Sequence, residues 1–307
     1  MSEPDSGILV VDKAAGVTSF DAVAVARRAL GVRRVGHGGT LDPPATGVLP
    51  LLVGEATKLT PYLMDHDKEY VATIRFGVTT DTHDLTGRVL STAPVTELSR
   101  HRLEVACARF VGRILQVPPM YSALHHEGQR LYELARQGVE VERAAREVVV
   151  TSIAVEAIAE ATATLRIVCG KGTYVRALAS DLGAALGYGG AVERLTRTRV
   201  GPFTLRAAVG WSELADSRRG VLFSRMLPMD TALSDWPAAR LDDDGTRRFC
   251  HGQPAEVAAP LGEGRLVRVY DARETLLGVG EAGAGGRTVR PVRMVHADRS
   301  RTSARPA

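Results

Sequence analysis

The chain of 307 residues lacks the short motifs that most often bind metals or nucleotides or supply a catalytic serine. It contains no GxxxxGKS/T phosphate loop, no HExxH or CxxC pair and no GxSxG turn. Its three cysteines, Cys107, Cys169 and Cys250, are far apart in the sequence and match neither a disulfide framework nor a metal-ligand spacing. These absences disfavour triphosphate-binding enzymes, zinc enzymes and serine hydrolases. We therefore expect no metal site and no small-molecule cofactor.

Long apolar runs are also absent. No uninterrupted apolar run is long enough to cross a bilayer. The first six residues are polar and acidic, whereas a signal peptide would be basic and then apolar. We therefore expect a cytoplasmic protein that has no membrane partner.

Lysine is scarce, because only four of the 39 basic residues are lysines and the rest are arginines. The formal net charge is +4. This modest positive excess permits a polyanionic partner but does not require one.

The remaining composition is that of a globular protein with two domains. Apolar residues make up 45% of the chain and charged residues 24%. Over residues 1–233, strand-like and helical segments mix without a regular repeat, which predicts an α+β domain with a mixed, largely antiparallel sheet and flanking helices. Residues 234–295 contain short strand-like segments and glycine-rich turns, which predict a small β-rich domain. Residues 296–307 are polar and contain several arginines, a composition that predicts a disordered basic tail.

Several elements can be predicted individually. Residues 7–13 and 68–76 have the pattern of strands, and a helix is expected from Thr18 and Ser19 to about Leu30. Residues 47–64 mix apolar and small residues in a way that suits a packed helix or turn. Further expected elements are helices over 95–111, 129–137 and 173–186 and strands over 147–158, 161–169 and 191–203.

The stretch GHGGTLDPPATGVLPLLVGEATK, residues 36–58, holds Asp42 between two glycines and two prolines. Proline fixes φ and glycine supplies backbone angles that other residues avoid, so this composition predicts a loop with little conformational freedom. An aspartate in such a loop can simply cap a turn. It can also serve as a nucleophile or base that is held in one position.

This stretch resembles the active-site segment of the TruB-type tRNA pseudouridine synthases. Four further segments are similar to that family and occur in its order: GILVVDKAAGVTSFD, KEYVATIRFGVTTDTHDLTG, QVPPMYSALHHEGQRLYELARQG, and KGTYVRALASDLG followed by ERLTRTRVGPF. Together the five segments span residues 7–203, about two thirds of the chain. Five segments in one order are far more specific than any one of them.

The resemblance implies isomerisation of uridine 55 in the T-loop of tRNA to pseudouridine, with the base flipped out of its stack. The uracil leaves N1, turns and rejoins the ribose through C5, so no atoms are gained or lost and no cofactor is needed. The implied partner is the T-loop and T-arm of tRNA, bound by a monomer, and the C-terminal domain takes the place of the family's PUA-like RNA-binding domain. Implied catalytic residues are Asp42, Arg176, Tyr70 and Tyr174, and implied substrate-binding residues are His37, Leu195, Lys13 and His125.

The resemblance implies a role for each of these residues. Arg176 would pair with Asp42 and orient it. Tyr70 would stack on the target base, Tyr174 would pack beside it or assist proton removal at C5, and Leu195 would form an apolar wall. His37 would hold the RNA where the base has left its stack. Lys13 would support the Asp42 loop or contact a phosphate.

Three departures from the family pattern stand out. Ala14 occupies a position where proline is common, and Phe20 one where histidine is common. His125 stands where a lysine is expected after SAL, so a phosphate contact there would depend on pH.

Three other hypotheses remain. The chain could be a non-catalytic RNA-binding protein on the same scaffold, which the presence of both Asp42 and Arg176 disfavours. It could be a hydrolase with a single aspartate nucleophile, which the lack of a second acid in the loop disfavours. A guide-RNA-dependent synthase is the third, and it is disfavoured because the chain has no long lysine-rich extensions.

Overall fold

The computed structural model describes residues 6–122, 124–126 and 128–295. The strands in this part of the chain are β1 (Gly7–Lys13), β2 (Val35–His37), β3 (Thr46–Val53), β4 (Lys68–Phe76), β5 (Val78–Thr80), β6 (Val89–Thr92), β7 (Gly112–Gln116), β8 (His125–His126), β9 (Gln129–Arg130), β10 (Arg146–Ala159), β11 (Thr162–Cys169), β12 (Gly190–Val200), β13 (Phe203–Thr204), β14 (Ala238–Arg240), β15 (Ala255–Glu256), β16 (Leu266–Tyr270), β17 (Leu276–Ala282) and β18 (Thr288–Met294).

The α-helices are α1 (Ser19–Leu30), α2 (Thr60–Asp65), α3 (Arg100–Ala108), α4 (Leu131–Arg136), α5 (Val175–Leu186), α6 (Trp211–Asp216), α7 (Arg219–Ser224) and α8 (Asp243–Cys250). Short 3-10 helices occupy Gly54–Leu59, Leu205–Ala207, Met229–Leu233 and Ala284–Gly286. No helix in the described ranges is both long enough and apolar enough to cross a membrane.

Nine strands form the main sheet, with the order β1-β3-β12-β4-β11-β10-β7 and with β2 and β13 added at β3 and β12. Its only parallel pairing in the described chain joins β3 to β12, and the other neighbours are antiparallel. The predicted α+β class and the mixed, largely antiparallel sheet are therefore confirmed. The parallel junction matters for function, because the Asp42 loop leads directly into β3.

Helices α3 and α5 cover one face of the sheet. On β4 and β11 the apolar residues alternate with polar ones, so that Ile74, Leu165 and Ile167 face the helices and are fully buried. Leu178 and Leu182 of α5 pack against this face. The N-terminus of α5 is thereby fixed against the sheet.

Helix α1 packs on the other end of the sheet, against β1 and β3. Its start is fixed by a capping box in which the side chains of Thr18 and Asp21 satisfy each other's backbone N–H groups. Its end is marked by Gly31, which adopts the left-handed conformation at φ 64°. The predicted start and end of this helix are both confirmed.

The second sheet has five strands in the order β14-β16-β17-β18-β15, and Phe249 of α8 packs on it. This sheet is not isolated from the first. Tyr270, Val279 and Val295 share a buried apolar cluster with Ile8 of β1 and Leu52 of β3. The second sheet therefore contributes to the core that supports β3.

Three predicted elements were wrong in type or extent. The helix expected over 95–111 is shorter, because α3 covers only Arg100–Ala108 and Ser99 caps its start. The first half of the segment 47–64, expected as helix or turn, is the buried strand β3, and only its second half is helical. The helix expected over 129–137 begins at Leu131, because Gln129–Arg130 pairs with His125–His126 as a short ribbon. An apolar run that is buried on both faces lacks the period that separates a strand from a helix. The tail over 296–307 lies outside the described residues.

Candidate active site

The loop between β2 and β3 carries Asp42, and Arg197 of β12 holds this loop through its backbone. The Arg197 guanidinium is 1% exposed and donates to the carbonyl oxygens of Val48 (2.8 Å), Gly39 (3.0 Å) and Thr40 (3.3 Å). Gly47 lies directly against the Arg197 backbone with φ 105°, and a Cβ there would overlap the Arg197 carbonyl oxygen. The glycine is required by this close approach.

Lys13, at the end of β1, also supports this loop. Its ammonium is fully buried and donates to the carbonyl oxygens of Ala14 (2.8 Å), Val17 (2.8 Å) and Pro43 (3.2 Å). Burial lowers the pKa of Lys13 to about 8, while the nearby Asp42 carboxylate acts in the opposite direction. Lys13 is therefore buried against the loop and does not reach the protein surface.

Helix α1 is joined to the loop through Ser19. The Ser19 hydroxyl is buried, accepts from the backbone N–H of Leu41 at 2.9 Å and donates to the Leu41 carbonyl at 3.2 Å. The residue before Asp42 is thus tied to the first turn of a helix. Together with Arg197 and Lys13, this contact restrains the loop.

Arg176, the second residue of α5, faces Asp42. Its Nε donates to Asp42 Oδ2 at 2.7 Å, and its Nη1 and Nη2 donate to the carbonyl oxygens of Thr82 (2.8 Å) and Tyr121 (2.7 Å). The Arg176 side chain is buried, whereas Asp42 keeps part of its carboxylate open to solvent. One guanidinium therefore connects the Asp42 loop to two other loops.

Asp84 provides a second carboxylate close to Arg176. Its Oδ2 lies 3.9 Å from Arg176 Nε, and its Oδ1 accepts from the hydroxyls of Thr82 (2.8 Å) and Thr86 (2.5 Å) and the Thr86 N–H (3.0 Å). Asp84 is 7% exposed. The loop that carries it is pinned to the sheet by the pairing of Asp84 with Val192 of β12.

Tyr174 caps the N-terminus of α5 next to Arg176. Its backbone N–H and carbonyl both bond to the amide of Gln116, which is 2% exposed at the end of β7. Burial raises the pKa of the Tyr174 phenol.

Tyr70 and Leu195 lie on adjacent strands of the sheet beside the loop. Tyr70 of β4 is in register with Arg197 of β12, and burial raises the pKa of its phenol. Leu195 lines a pocket of about 340 Å³, including its open mouth, together with Asp42, Asp84 and Arg176. The pocket is thus lined by both apolar and charged side chains.

A wider cleft of about 2280 Å³, including its open mouth, surrounds Asp42 and extends towards α1. His37 lines this cleft and makes an edge-to-face contact with Phe20, with the ring centroids 5.4 Å apart. Burial, and then the Arg197 guanidinium, lower the pKa of His37. Tyr121 and Tyr132 also line the cleft.

His125 is exposed on the β8–β9 ribbon, where its backbone pairs with Arg130, and it is not among the described residues that line the cleft. The structure brings Asp42, Arg176 and Leu195 around one pocket, with Tyr70, Tyr174, His37 and Lys13 on the elements that surround it.

Two charged residues at this site were not singled out by sequence reasoning. Arg197 lies in the segment ERLTRTRVGPF, which also resembles the family, but it is one of three arginines there and its local pattern does not mark it out from the other two. Asp84 had a signal, because a polar loop with the sequence TTDTHDLTG is one of the segments that resemble the family.

Residues 27–175 match the N-terminal domain of the TruB family of pseudouridylate synthases. The chain belongs to this family. Residues 176–234 match the C-terminal domain of tRNA pseudouridylate synthase B, and residues 237–295 match the C-terminal domain of pseudouridine synthase II TruB.

Curated relatives cover nearly the whole chain. The tRNA pseudouridine synthase B of Burkholderia pseudomallei (strain 668) is 46% identical over 294 residues, which cover 94% of this chain and 96% of the relative. The protein of the same name from Ralstonia pickettii (strain 12J) is 47% identical over 305 residues, with 94% of both chains covered.

The solved structures agree with this assignment. A chain in the crystal structure of a Cbf5-Nop10-Gar1 complex is 25% identical, with a TM-score of 0.75, and the match covers 95% of this chain and 85% of that one. A chain of the archaeal box H/ACA sRNP Nop10-Cbf5 complex, 24% identical with a TM-score of 0.72 and with 96% and 87% covered, shows the same fold.

Proposed function

We propose that the chain is a tRNA pseudouridine synthase that converts uridine 55 of the T-loop to pseudouridine. The observation that carries the proposal is the arrangement of Asp42 and Arg176. One carboxylate oxygen is held by a buried guanidinium, and the carboxylate remains partly open to a cleft of about 2280 Å³, including its open mouth. The near full-length identity with relatives named tRNA pseudouridine synthase B supports the substrate.

The chemistry needs one carboxylate and a site from which water is excluded. The bond between N1 and the ribose C1′ breaks, the uracil turns, and C5 bonds to C1′ while the C5 proton is lost and N1 gains one. Asp42 can attack the sugar or the base, or it can act as a base towards the ribose. Each of these roles requires an ionised carboxylate that is held in one orientation. A protonated carboxyl is neither a nucleophile nor a base, and a freely rotating one is seldom aligned with the reacting atom.

Arg176 provides that orientation. All three of its donor nitrogens are engaged, two of them on backbone carbonyls, so the guanidinium cannot follow Asp42 if the carboxylate moves. The Asp84 carboxylate lies 3.9 Å from the same Nε and adds a second negative charge beside the buried guanidinium.

The aromatic residues would hold the base. Because burial raises the pKa of both phenols, Tyr70 and Tyr174 are neutral near pH 7 and act by packing and hydrogen bonding. Tyr70 would stack on the flipped uracil, and Tyr174 would lie beside it near C5. Leu195 would close the pocket on its apolar side and help to exclude water.

Lys13, His125 and His37 take different places in the proposal. Of the two roles open to Lys13, support of the loop fits its three bonds to backbone carbonyls better than a phosphate contact. His125 is exposed and could contact a phosphate of the T-arm. His37, which lines the cleft, would contact the RNA near the vacated position of the base.

We further propose that residues 1–233 form the catalytic domain and residues 234–295 an RNA-binding domain, and that the protein acts on tRNA as a monomer without a cofactor. A stand-alone enzyme is favoured over a guide-RNA-dependent one. The curated tRNA synthases are 46–47% identical to the chain, whereas the Cbf5 chain of the complex with Nop10 and Gar1 is 25% identical.

The test is incubation of the purified protein with an unmodified tRNA transcript in buffer without added cofactor, followed by chemical mapping of pseudouridine. Conversion at position 55 alone is the expected result. A transcript with cytidine at position 55 is the matched control and should remain unmodified. Absence of conversion in a folded transcript, or conversion only after addition of a guide RNA, would contradict the proposal.

A further inference from the structure

Phe20 is an apolar residue that the fold leaves exposed inside the cleft. It is the second residue of α1, its exposed fraction is 62%, and it lines the same cleft as Asp42. Exposed apolar side chains are common on protein surfaces and need no explanation when they stand alone. Phe20 does not stand alone, because its ring meets that of His37 at 85°.

The backbone of Phe20 is fixed relative to Asp42. On one side, Thr18 and Asp21 form the capping box that sets the first turn of α1. The immediate neighbour Ser19 bonds to both backbone groups of Leu41, the residue before Asp42. A ligand that touches the Phe20 ring is therefore positioned with respect to the reactive carboxylate.

His37 gives the second side of an aromatic corner. Its Nδ1 is buried and has no hydrogen-bond partner among the described residues, and it makes an edge-to-face contact with Phe20. Burial lowers its pKa, so the imidazole is neutral near pH 7 and offers an aromatic surface rather than a charge. A flat ring that stacks on the exposed face of Phe20 would have its edge against His37.

We propose that Phe20 stacks on a T-loop base next to the flipped uridine, and that His37 closes the side of that stack. Phe20 is then a substrate-positioning residue. The inference rests on the proposed function, because it assumes that the cleft binds RNA. An unpaired base offers a flat face whatever its identity, and stacking on an aromatic side chain is a common way to hold it.

The test compares four variants of the full-length protein. Phe20→Ala removes the ring, Phe20→Leu keeps an apolar side chain without a ring, and Phe20→Tyr keeps the ring. Val105→Ala is the matched control, since Val105 is 54% exposed on α3 and does not line the cleft. Binding is measured by filter retention of an unmodified T-arm hairpin, and turnover by steady-state assay on the tRNA transcript.

Stacking predicts that Phe20→Ala and Phe20→Leu both weaken binding and raise KM about tenfold, with kcat within about twofold of the wild type. Phe20→Tyr and Val105→Ala should match the wild type. A 2-aminopurine base placed next to the target uridine should be quenched on binding to the wild type and less quenched by Phe20→Leu.

Two results would overturn the inference. If Phe20→Leu binds as well as the wild type, the contact is apolar packing and not stacking. If Phe20→Ala binds as well as the wild type, Phe20 does not touch the RNA. Measuring binding and turnover separately distinguishes this inference from the proposed function. If the wild type binds the hairpin but converts no uridine, the proposed function is refuted, and the binding of the Phe20 variants still tests the stacking contact. A wild-type protein that does not bind the hairpin refutes both.

Discussion

Arg176 Nε and Asp42 Oδ2 are 2.7 Å apart, but the two side chains differ greatly in exposure. The Arg176 side chain is 5% exposed and the Asp42 side chain 36% exposed. An exposed ion pair would contribute little, because both partners would be solvated and mobile. Here the cation is buried and bonded to the backbone of two loops, so the pair fixes the direction in which the carboxylate faces the cleft.

Arg176→Lys tests whether orientation, and not charge alone, is needed. A lysine keeps the positive charge but cannot reach Asp42 and both carbonyls in one plane, so we expect kcat to fall by about 100-fold or more while KM changes by less than about tenfold. Steady-state assays measure kcat and KM, and thermal unfolding checks that the variant retains its fold.

Arg166→Lys is the matched control for Arg176→Lys. Arg166 also binds two partners, Glu69 and Glu156, but on the open face of the sheet, where its side chain is 42% exposed. We expect its turnover to be unchanged. A rate for Arg176→Lys that is equal to that of this control would contradict the orienting role.

Gly47→Ala tests the contact between the Asp42 loop and β12. The substitution combines φ 105° with an overlap against the Arg197 carbonyl, so we expect the free energy of unfolding to fall by about 2–4 kcal/mol. Gly210→Ala is the control, because Gly210 has φ −63° and no atom within 4 Å of an added Cβ. Its effect should stay within about 1 kcal/mol. Equal unfolding midpoints for the two variants in urea would show that the close approach is not required.

Lys13→Met tests the buried ammonium through the pH dependence of stability. The pKa of Lys13 is about 8 in the folded protein and near 10.5 in the unfolded chain, so between these values the unfolded chain binds more protons. Stability therefore rises with pH in this window through Lys13, by at most about 1.4 kcal/mol per pH unit.

The variant cannot titrate at this position, so the difference in unfolding free energy, wild type minus Lys13→Met, should increase from pH 8 to pH 10. Urea titrations at several pH values measure it, and Lys171→Met, which removes an exposed ammonium, controls for the loss of one charge. A difference that is constant with pH would show that the Lys13 ammonium is not desolvated.

Much of the fold could be predicted because its signals are local. The helix from Ser19 to Leu30 has a capping box and a terminal glycine, and β4 and β11 alternate apolar and polar residues. β3 could not be distinguished from a helix, because it is buried on both faces and its pattern TGVLPLLV has no period. The shared core of the two sheets is a cluster that joins residues more than 200 positions apart, such as Ile8 and Val279, which one sequence does not reveal.

The site could be predicted only where a motif marked it. Asp42 stands out through its glycines and prolines, and the resemblance connects it with Arg176, 134 positions away. Arg197 lies in the family-like segment ERLTRTRVGPF, but that segment does not show which of its three arginines holds the loop, as Arg197 does through three carbonyls. Its importance comes from the parallel junction of β3 and β12, which appears only in the folded chain.

The most direct test of the central claim is Asp42→Asn, assayed for both binding and single-turnover conversion on the same unmodified tRNA. Asparagine is nearly isosteric and can still accept a hydrogen bond from Arg176, so the fold should be retained, and binding should change by less than about tenfold because contacts to phosphates and bases are spread over the cleft. Conversion should be undetectable. Asp12→Asn makes the same change at an exposed position on β1, outside the cleft, and should leave both measurements unchanged. Conversion of uridine by Asp42→Asn at a rate comparable to that of Asp12→Asn would contradict a mechanism that depends on the Asp42 carboxylate.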